Sequence, residues 1–486
     1  MSVILKLNIL KQEEIDIISK ELTIYPYDKY EEEKKHQKKY TPYQTKAPVG
    51  ISMFLPNPED RTIRIPYTFA CNLRPEFIQL NKKKDYLKII NDENFQVELL
   101  DKQIPFFNKA RKQLSLHNTT SLCLPPGFGK TILGQALAFI KGLMSLTLVT
   151  RKKIGYAHVT TIQKCLPDLA DKIWFVGKKG FRPPGKNYFN EIQTLPGEKK
   201  YEEDSYIPYF IICTSGSTHK IPKKVLEKVG TLIVDEAHLF CAPEKVECLL
   251  CTQPKFIILE TATLQRGDKL ERMVQLIAGE HRVYKRSDTQ YIVYRLETNV
   301  CVQEEKGPRG VSYGKLCASL GEDEYRNGIF VNIIKSNPHR KFMILSLSVN
   351  HVKNLQKIFS KNEIESDILC GNKDNYSDSH VLIGTMSKMG VGFDEENACE
   401  DFKGVKSNVL FLAHSMAQWQ LFEQYVGRVK RTSEIPIVIW MHDRNKMGRN
   451  HFKNLEDWIK LTNGEIIEIQ YKPDGIILPE LSKTEG

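Results

Sequence analysis

The sequence lacks long hydrophobic runs, and this absence excludes several classes of protein. No apolar stretch in its 486 residues approaches the roughly 18 consecutive residues that a membrane-spanning helix needs. A short apolar run near the start is followed at once by Glu13, Glu14 and Asp16, and neither a basic segment nor a small-residue cleavage site flanks it. We therefore expect a protein that is neither secreted nor inserted in a membrane.

The sequence also lacks the signs of a disulfide-bonded or repetitive fold. Its 11 cysteines are an odd number, spread over a long chain without an export signal. This pattern predicts free thiols in a reducing, intracellular compartment. No internal repeat is visible, and 486 residues, 41% of them hydrophobic, predict about two to four ordinary domains.

Acidic residues are outnumbered, with 59 Asp and Glu against 70 Lys and Arg, which gives a formal net charge of +11. An excess of positive charge favours a polyanionic partner such as nucleic acid. By itself this evidence is weak.

Two series of short apolar segments alternate with amphipathic helical segments. This pattern is typical of parallel sheets with crossover helices, so the fold class predicted is α/β with two tandem parallel-sheet domains. The predicted parts are an N-terminal accessory domain at 1–95, a first sheet domain at 96–295, a linker at 296–325, a second sheet domain at 326–450 and a C-terminal extension at 451–486. A polar stretch at 178–204 predicts an insertion or a long surface loop.

A glycine-rich turn joins the strand SLCL to a helix-forming segment. It places Gly127, Phe128, Gly129, Lys130 and Thr131 at a strand-to-helix junction. Glycines there let backbone N–H groups face the phosphates of ATP, the lysine supplies a cation for the β- and γ-phosphates, and the threonine hydroxyl suits Mg²⁺. The alternative is a turn with a chance G-K-T sequence.

Two adjacent carboxylates end a second apolar strand, TLIVDE. Asp235 and Glu236 thus lie at the carboxyl edge of the predicted sheet, where ligands bind in parallel α/β folds. One carboxylate can hold Mg²⁺ while the other polarises the water that attacks the γ-phosphate. An ordinary pair of surface acids is the alternative, which the nearby glycine-rich turn disfavours.

These segments, with three others, resemble the motifs of superfamily 2 DExH-box helicases. The others are TAT at Thr261–Thr263, TMSKMGVGFD at Thr385–Asp394 and QYVGRVKR at Gln424–Arg431. The motifs follow the family's order from Gln103 to Arg431. The resemblance implies two RecA-like domains that hydrolyse ATP with Mg²⁺ and move along nucleic acid.

The resemblance also implies a role for each matching residue. Catalytic roles fall to Lys130, Asp235, Glu236, Arg428 and Arg431, and Mg²⁺ to Thr131 and Asp235. ATP binding falls to Gln103, Gly127, Phe128, Gly129, Lys130, Thr131, Gly392, Asp394 and Gln424. His238, Thr261 and Thr263 are implied to couple the nucleotide site to the other domain. Arg151, Lys152 and Thr385 are implied to contact nucleic acid.

Several of these roles have plain alternatives. Gln424, Gly427, Arg428 and Arg431 share one helix face, which suits arginine fingers but also an ordinary solvated basic face. Gln103 reads adenine in the family, yet it can be an ordinary exposed glutamine. The basic turn after the second strand, with Arg151 and Lys152, suits phosphates but also suits solvent.

The spacing of His238, Cys241, Cys248 and Cys251 is compatible with a zinc site. We do not predict one, because His238 belongs to the DEAH motif and free cysteines are commonly small core residues.

Within the superfamily, the layout resembles the compact helicases of large cytoplasmic DNA viruses, of the poxvirus type implicated in transcript release. That subgroup implies a DNA helicase that works with transcription machinery in the host cytoplasm or the virion. An RNA-remodelling helicase stays open, since the motifs do not read the 2′-hydroxyl. A non-enzymatic transcription-complex subunit with a vestigial ATP site is the other alternative, which the presence of Lys130, Asp235, Glu236, Arg428 and Arg431 disfavours.

Overall fold

The structure is a computed structural model of the whole chain, and it divides into two compact units, residues 1–285 and 286–486. The residues it describes are 2–26, 49–76, 86, 99–185, 206–262, 266, 268–302, 306–307, 310–390, 393–432, 434–473 and 475–479. The predicted fold class is confirmed: each unit contains a seven-stranded parallel sheet with helices, and a small sheet is formed near the N-terminus.

The strands of the first unit, in chain order, are β1 (Ser2–Lys6), β2 (Thr23–Ile24), β3 (Ile51–Ser52), β4 (Leu55–Asn57), β5 (Thr62–Pro66), β6 (Thr119–Cys123), β7 (Ser145–Val149), β8 (Ile173–Phe175), β9 (Phe210–Thr214), β10 (Thr231–Asp235), β11 (Phe256–Thr261) and β12 (Arg282–Tyr284). Its helices are α1 (Gln12–Glu21), α2 (Tyr67–Leu73), α3 (Ile104–His117), α4 (Lys130–Ile140), α5 (Lys152–Cys165), α6 (Lys223–Lys228), α7 (Val246–Leu249) and α8 (Arg272–Ala278).

The main sheet of the first unit has the order β12-β6-β11-β10-β7-β9-β8. Every residue of β6, β7, β10 and β11 is buried, as expected for parallel strands that are covered on both faces. Strand β11 separates β6, which leads into the glycine-rich turn, from β10, which ends in the acidic pair. The carboxyl ends of these three strands therefore meet at one edge of the sheet.

The N-terminal segment forms a three-stranded antiparallel sheet of order β1-β5-β4. It is joined to the first unit by hydrogen bonds: Ser2 N–H donates to Thr252 O at 3.1 Å, and Arg64 Nη1 donates to Leu250 O at 2.7 Å. Val3 and Ile65 belong to the same hydrophobic core as the central strand β10. The segment predicted as a separate domain at 1–95 thus shares a core with the following sheet.

The second unit has its own set of elements. Its strands are β13 (Tyr291–Glu297), β14 (Lys306–Gly307), β15 (Gly310–Val311), β16 (Phe342–Ser346), β17 (Ser366–Leu369), β18 (Val381–Thr385), β19 (Val409–Leu412), β20 (Ile437–His442) and β21 (Gly464–Gln470). Its helices are α9 (Tyr313–Glu322), α10 (Glu324–Lys335), α11 (Val349–Lys361), α12 (Glu395–Ala398), α13 (Trp419–Val429) and α14 (Lys446–Leu461).

The main sheet of the second unit has the order β17-β18-β16-β19-β20-β13-β21. Strand β13 lies between β20 and β21 in it, although the predicted boundary put most of β13 in the first domain. Helix α9 lies in the predicted linker at 296–325, and β21 lies in the predicted extension at 451–486. The structural division thus falls about ten residues earlier than predicted, between Lys285 and Arg286.

Most of the predicted insertion at 178–204 lies outside the described residues, which do not include 186–205. Among the described helices, none combines the length and the apolar composition that crossing a membrane requires.

Candidate nucleotide-binding site

The glycine-rich turn forms a loop between β6 and α4. Gly127 and Gly129 have φ values of 80° and 95°, a left-handed conformation that L side chains rarely adopt, so glycine is required at both positions. Helix α4 begins at Lys130, whose Nζ donates a hydrogen bond to Leu124 O at 3.0 Å. The lysine is thereby folded back over the loop, with its charge at the helix N-terminus where phosphates bind.

The Gln103 side chain is hydrogen-bonded to this loop. Its Nε2 donates to Phe128 O at 2.7 Å, and its Oε1 accepts from Leu100 N–H at 3.0 Å. A Cβ atom at Gly129 would lie 2.4 Å from Gln103 Nε2. Gln103 is 4% exposed, so it is not the ordinary exposed glutamine considered above, while adenine recognition stays a prediction.

Asp235 ends β10 as a buried carboxylate with partners for both oxygens. Its Oδ2 lies 3.0 Å from His158 Nε2, and its Oδ1 accepts from Glu236 N–H at 2.7 Å. Burial raises the pKa of Asp235, but the His158 hydrogen bond and the charges of His158 and Lys130 outweigh burial and hold that pKa below its ordinary value. An ionised carboxylate is a hard oxygen ligand of the kind Mg²⁺ prefers.

Glu236 has backbone angles that are unusual for a side chain of its size. Its φ of 51° and ψ of 53° are left-handed, at the point where β10 turns into a short 3₁₀ helix at Ala237–Phe240. Such backbone strain persists only where the surroundings enforce it, and it is frequent at functional sites. Its carboxylate Oε2 lies 3.4 Å from His238 Nδ1, so the acid and the histidine of the motif are adjacent.

His238 connects the acidic strand end to the next strand. Its Nδ1 lies 2.9 Å from Thr261 Oγ1, at the end of β11. Burial, followed by the charges of Arg266 and Lys130, lowers the pKa of His238 to about 4, so the ring is neutral at pH 7. The predicted coupling pair His238 and Thr261 is thus in direct contact, while Thr263 lies outside the described residues.

The structure adds two buried residues that the sequence did not single out. His158 lies on α5 and contacts Asp235, and Glu260 pairs with Asp235 across β10 and β11. Burial and then the charge of Asp235 raise the pKa of Glu260 well above its ordinary value. An acid inside an otherwise apolar strand, directly before the TAT segment, is the sequence signal that marks Glu260.

Gly134 shows how closely α4 approaches this acid. A Cβ atom at Gly134 would lie 1.6 Å from Glu260 Oε1. We expect Gly134→Ala to lower the free energy of unfolding by about 1–3 kcal/mol, the usual effect of overpacking. Denaturant unfolding measures it.

Gly328 is the matched control, because it lies inside helix α10 and a Cβ atom there meets nothing within 4 Å. Gly328→Ala should stabilise the chain by about 0.5–1 kcal/mol through helix propensity. Equal effects of the two substitutions would contradict the close approach at Gly134.

In the second unit, the two predicted finger arginines are both bound to the motif that precedes them. Arg428 Nη2 donates to Gly390 O at 2.7 Å and Nη1 donates to Phe393 O, while Arg431 forms an ion pair with Asp394. Arg428 thus has a structural role in this arrangement, and Arg431 is the more peripheral of the two.

Gln424, on the same helix α13, is buried. Gly392 lies outside the described residues.

Comparisons with known proteins found a sequence family and several viral proteins that this chain resembles. Residues 96–266 match the sequence family described as type III restriction enzyme, res subunit. The chain is 26% identical over 426 residues to "Putative helicase 161L" of Invertebrate iridescent virus 6, covering 81% of this chain and 86% of that protein. It is 28% identical over 338 residues to "Putative helicase 055L" of Frog virus 3 (isolate Goorha), covering 68% of this chain and 70% of that protein.

The fold has solved counterparts. "S. cerevisiae Dbp5 bound to RNA and ADP BeF3" superposes with a TM-score of 0.50 at 12% identity, covering 76% of this chain and 94% of that one. The similarity to viral putative helicases and to the res-subunit family supports the resemblance to superfamily 2 helicases that the motifs indicate. ATP binding follows from this similarity, and the loop described above stays the predicted place for it.

Residues predicted to contact nucleic acid lie at carboxyl ends of strands in this helicase. Arg151 and Lys152 are exposed after β7, at the start of α5. Thr385 ends β18 but is only 3% exposed, and its Oγ1 lies 3.2 Å from Ser387 Oγ. Exposed Ser387 is thus the hydroxyl nearer to solvent at this strand end.

The cysteines near the DEAH segment are buried thiols. Cys241 Sγ donates to Ala237 O, and Cys248 Sγ donates to Lys245 O. Burial raises the pKa of each thiol to about 12, and burial also raises the pKa of Cys251. Each thiol thus has the surroundings of a small buried core residue.

Proposed function

We propose that this helicase hydrolyses ATP with Mg²⁺ and uses the energy to translocate along DNA, in viral transcription or another step of DNA metabolism. The observation that carries the proposal is the convergence of Lys130, Asp235 and Glu236 at one sheet edge. Asp235 is held ionised, Lys130 is folded over a phosphate-binding loop, and Glu236 is fixed beside them in a strained backbone.

Each group has a distinct chemical task in this proposal. Lys130 neutralises the β- and γ-phosphates, and the hydroxyl of Thr131 with the carboxylate of Asp235 would hold Mg²⁺, which neutralises charge on the phosphates when bound. Glu236 orients and deprotonates the attacking water. Arg431, released from Asp394, stabilises the charge that develops on the γ-phosphoryl group.

A basic cluster in the first unit supports a polyanionic track. Lys152 follows β7, Lys178 follows β8 and Lys220 ends the 3₁₀ helix after β9. Burial, and then the neighbouring Lys152 and Lys220, lower the pKa of Lys178. A Cβ atom at Gly177, the residue before Lys178, would lie 3.7 Å from Lys220 Nζ, so the lysines are near one another. Convergent like charges at strand ends are favourable when phosphates lie between them.

DNA is the preferred substrate because the matching sequence family is named after a restriction enzyme, a class of protein that acts on DNA. RNA is the second candidate, since the solved structure of similar fold holds RNA. The viral relatives support a viral role. Transcription machinery as partner and the host cytoplasm or virion as location are proposed from the resemblance to the poxvirus-type helicases alone.

The test compares ATPase stimulation by single-stranded DNA, duplex DNA and RNA of one length. We expect DNA to stimulate turnover most, and Lys178→Ala with Lys220→Ala to raise the concentration needed for half-maximal stimulation. Removing a lysine that binds a phosphate should also reduce, by about 1, the slope of log affinity against log salt concentration.

Lys179→Ala is the matched control. Lys179 is exposed and next in sequence to Lys178, but it is not one of the lysines that lower the pKa of Lys178. Stronger stimulation by RNA would favour the second candidate. An ATPase that no polymer stimulates would contradict translocation and favour a subunit that uses ATP without moving.

A further inference from the structure

A buried cluster of His158, Asp235 and Glu260 lies behind the phosphate loop. Asp235 and Glu260 are direct partners on the neighbouring parallel strands β10 and β11, so their side chains project from the same face of the sheet. His158 reaches them from α5. One ligand atom from each residue lies within 4.8 Å of the other two, and the proposed ATP chemistry uses only Asp235.

Glu260 is buried without hydrogen bonds to its carboxyl group from the part of the chain that the structure describes. It is 0% exposed, and among the described residues neither of its carboxylate oxygens has a hydrogen-bond partner. Buried polar groups are nearly always paired, and an unpaired buried carboxylate costs several kcal/mol when ionised. Two buried carboxyl groups thus lie on neighbouring strands, and one of them has neither a hydrogen-bond donor nor a bound cation as its partner among the described residues.

The neighbouring cation is not such a partner. Lys130 is close enough to lower the pKa of Glu260 by its charge, yet its Nζ donates to Leu124 O and its task lies in the phosphate loop. Gly134 leaves the space into which Glu260 Oε1 projects, since a Cβ atom there would lie 1.6 Å from that oxygen.

His158 and Gln135 have the arrangement of a metal ligand with its outer partner. Gln135 Nε2 lies 2.9 Å from His158 Nδ1 and 3.1 Å from Thr147 Oγ1. Gln135 Oε1 is buried and has no hydrogen-bond partner among the described residues. Turning the Gln135 amide by 180° lets its Oε1 accept from His158 Nδ1–H. The unprotonated Nε2 of His158, which lies 3.0 Å from Asp235 Oδ2, can then bind a metal ion next to that carboxylate.

We propose that His158, Asp235 and Glu260 form a second divalent-cation site, separate from the Mg²⁺ of the nucleotide, for a first-row transition metal such as Mn²⁺. One imidazole and two carboxylates are a mixed donor set, which favours such an ion over Ca²⁺ or Mg²⁺, whose ligands are mainly oxygens. An ion there neutralises both carboxylates and fixes the position of Asp235 beneath the nucleotide. The site does not depend on the polymer on which the helicase acts.

The test uses the full chain without nucleotide and Mn²⁺ alone as the probe. Electron paramagnetic resonance of free Mn²⁺ should show one bound ion per chain, and electron spin echo modulation should show nitrogen coupling from an imidazole. Glu260→Gln and His158→Gln should abolish saturable binding, and Gln135→Ala should weaken it about 10-fold to 100-fold, as expected for an outer partner.

Glu395→Gln is the matched control. Glu395 is also a buried acid, but its oxygens accept from Ser407 N–H and Oγ–H. Its substitution should leave Mn²⁺ affinity unchanged.

The proposal fails if the wild type binds no Mn²⁺ without nucleotide, if Glu260→Gln binds it normally, or if bound Mn²⁺ shows no nitrogen coupling, since Asp235 alone would give none. If Glu260→Gln does not fold, the nitrogen coupling and its loss in His158→Gln decide the question. None of these readouts uses ATPase activity, so failure here is distinguishable from failure of the proposed function.

Discussion

Lys130→Ala and Glu236→Gln should both lower ATP turnover strongly but should differ sharply in ATP binding. Lys130 carries the cation that contacts phosphate in the ground state. Losing a hydrogen bond to a charged group costs about 1.5–3 kcal/mol, so ATP affinity should fall by about 10-fold to 100-fold. Glu236 acts on the attacking water, so its removal should lower turnover by about 10²–10⁴-fold with little change in ATP affinity.

The measurement combines single-turnover hydrolysis with the binding of a fluorescent ATP analogue. Glu247→Gln and Lys109→Ala are the controls. Both residues are exposed and lie outside the loop, Glu247 on α7 and Lys109 on α3. Wild-type hydrolysis by Glu236→Gln would remove the general-base role from this residue. Unchanged ATP affinity in Lys130→Ala would contradict the phosphate-binding role of the loop.

The sequence was sufficient to predict features that depend on neighbouring residues. The buried strand β10 and the turn around Gly129 follow from an apolar run and from the glycines that left-handed backbone requires. The left-handed backbone at Glu236 was not predictable, because no residue type there favours it. It occurs where β10 turns into the 3₁₀ helix at Ala237–Phe240.

Features that depend on pairing between distant segments could not be read from local patterns. Glu260 meets Asp235 only because β10 and β11 pair in one register, and His158 reaches both only because α5 crosses the same face. Strand β13 shows the same limit. Its sequence, YIVYRLE, suits a strand in either unit, and its pairing with β20 and β21 decides which one it joins.

Arg431→Ala should lower ATPase turnover by about 10³-fold or more, the scale known for arginine fingers. Its affinity for nucleic acid without nucleotide should stay within a few-fold of the wild type. The ion pair with Asp394 holds the guanidinium partly exposed, with 27% of the side chain accessible, so the group is available to a phosphate. Arg431→Lys should not restore turnover, because an ammonium lacks the planar, two-pronged geometry of guanidinium.

Arg428→Ala separates the catalytic role from a structural one. Arg428 donates to the carbonyls of Gly390 and Phe393, so its loss leaves two acceptors without their donor and should lower Tm as well as turnover. Arg431→Ala should leave Tm nearly unchanged, since a partly exposed ion pair contributes little to stability. Thermal unfolding, basal ATPase and strand affinity measured on both variants decide the matter. Normal turnover in Arg431→Ala would mean that the arginine is a solvated partner of Asp394, and the finger would have to be sought elsewhere in the chain.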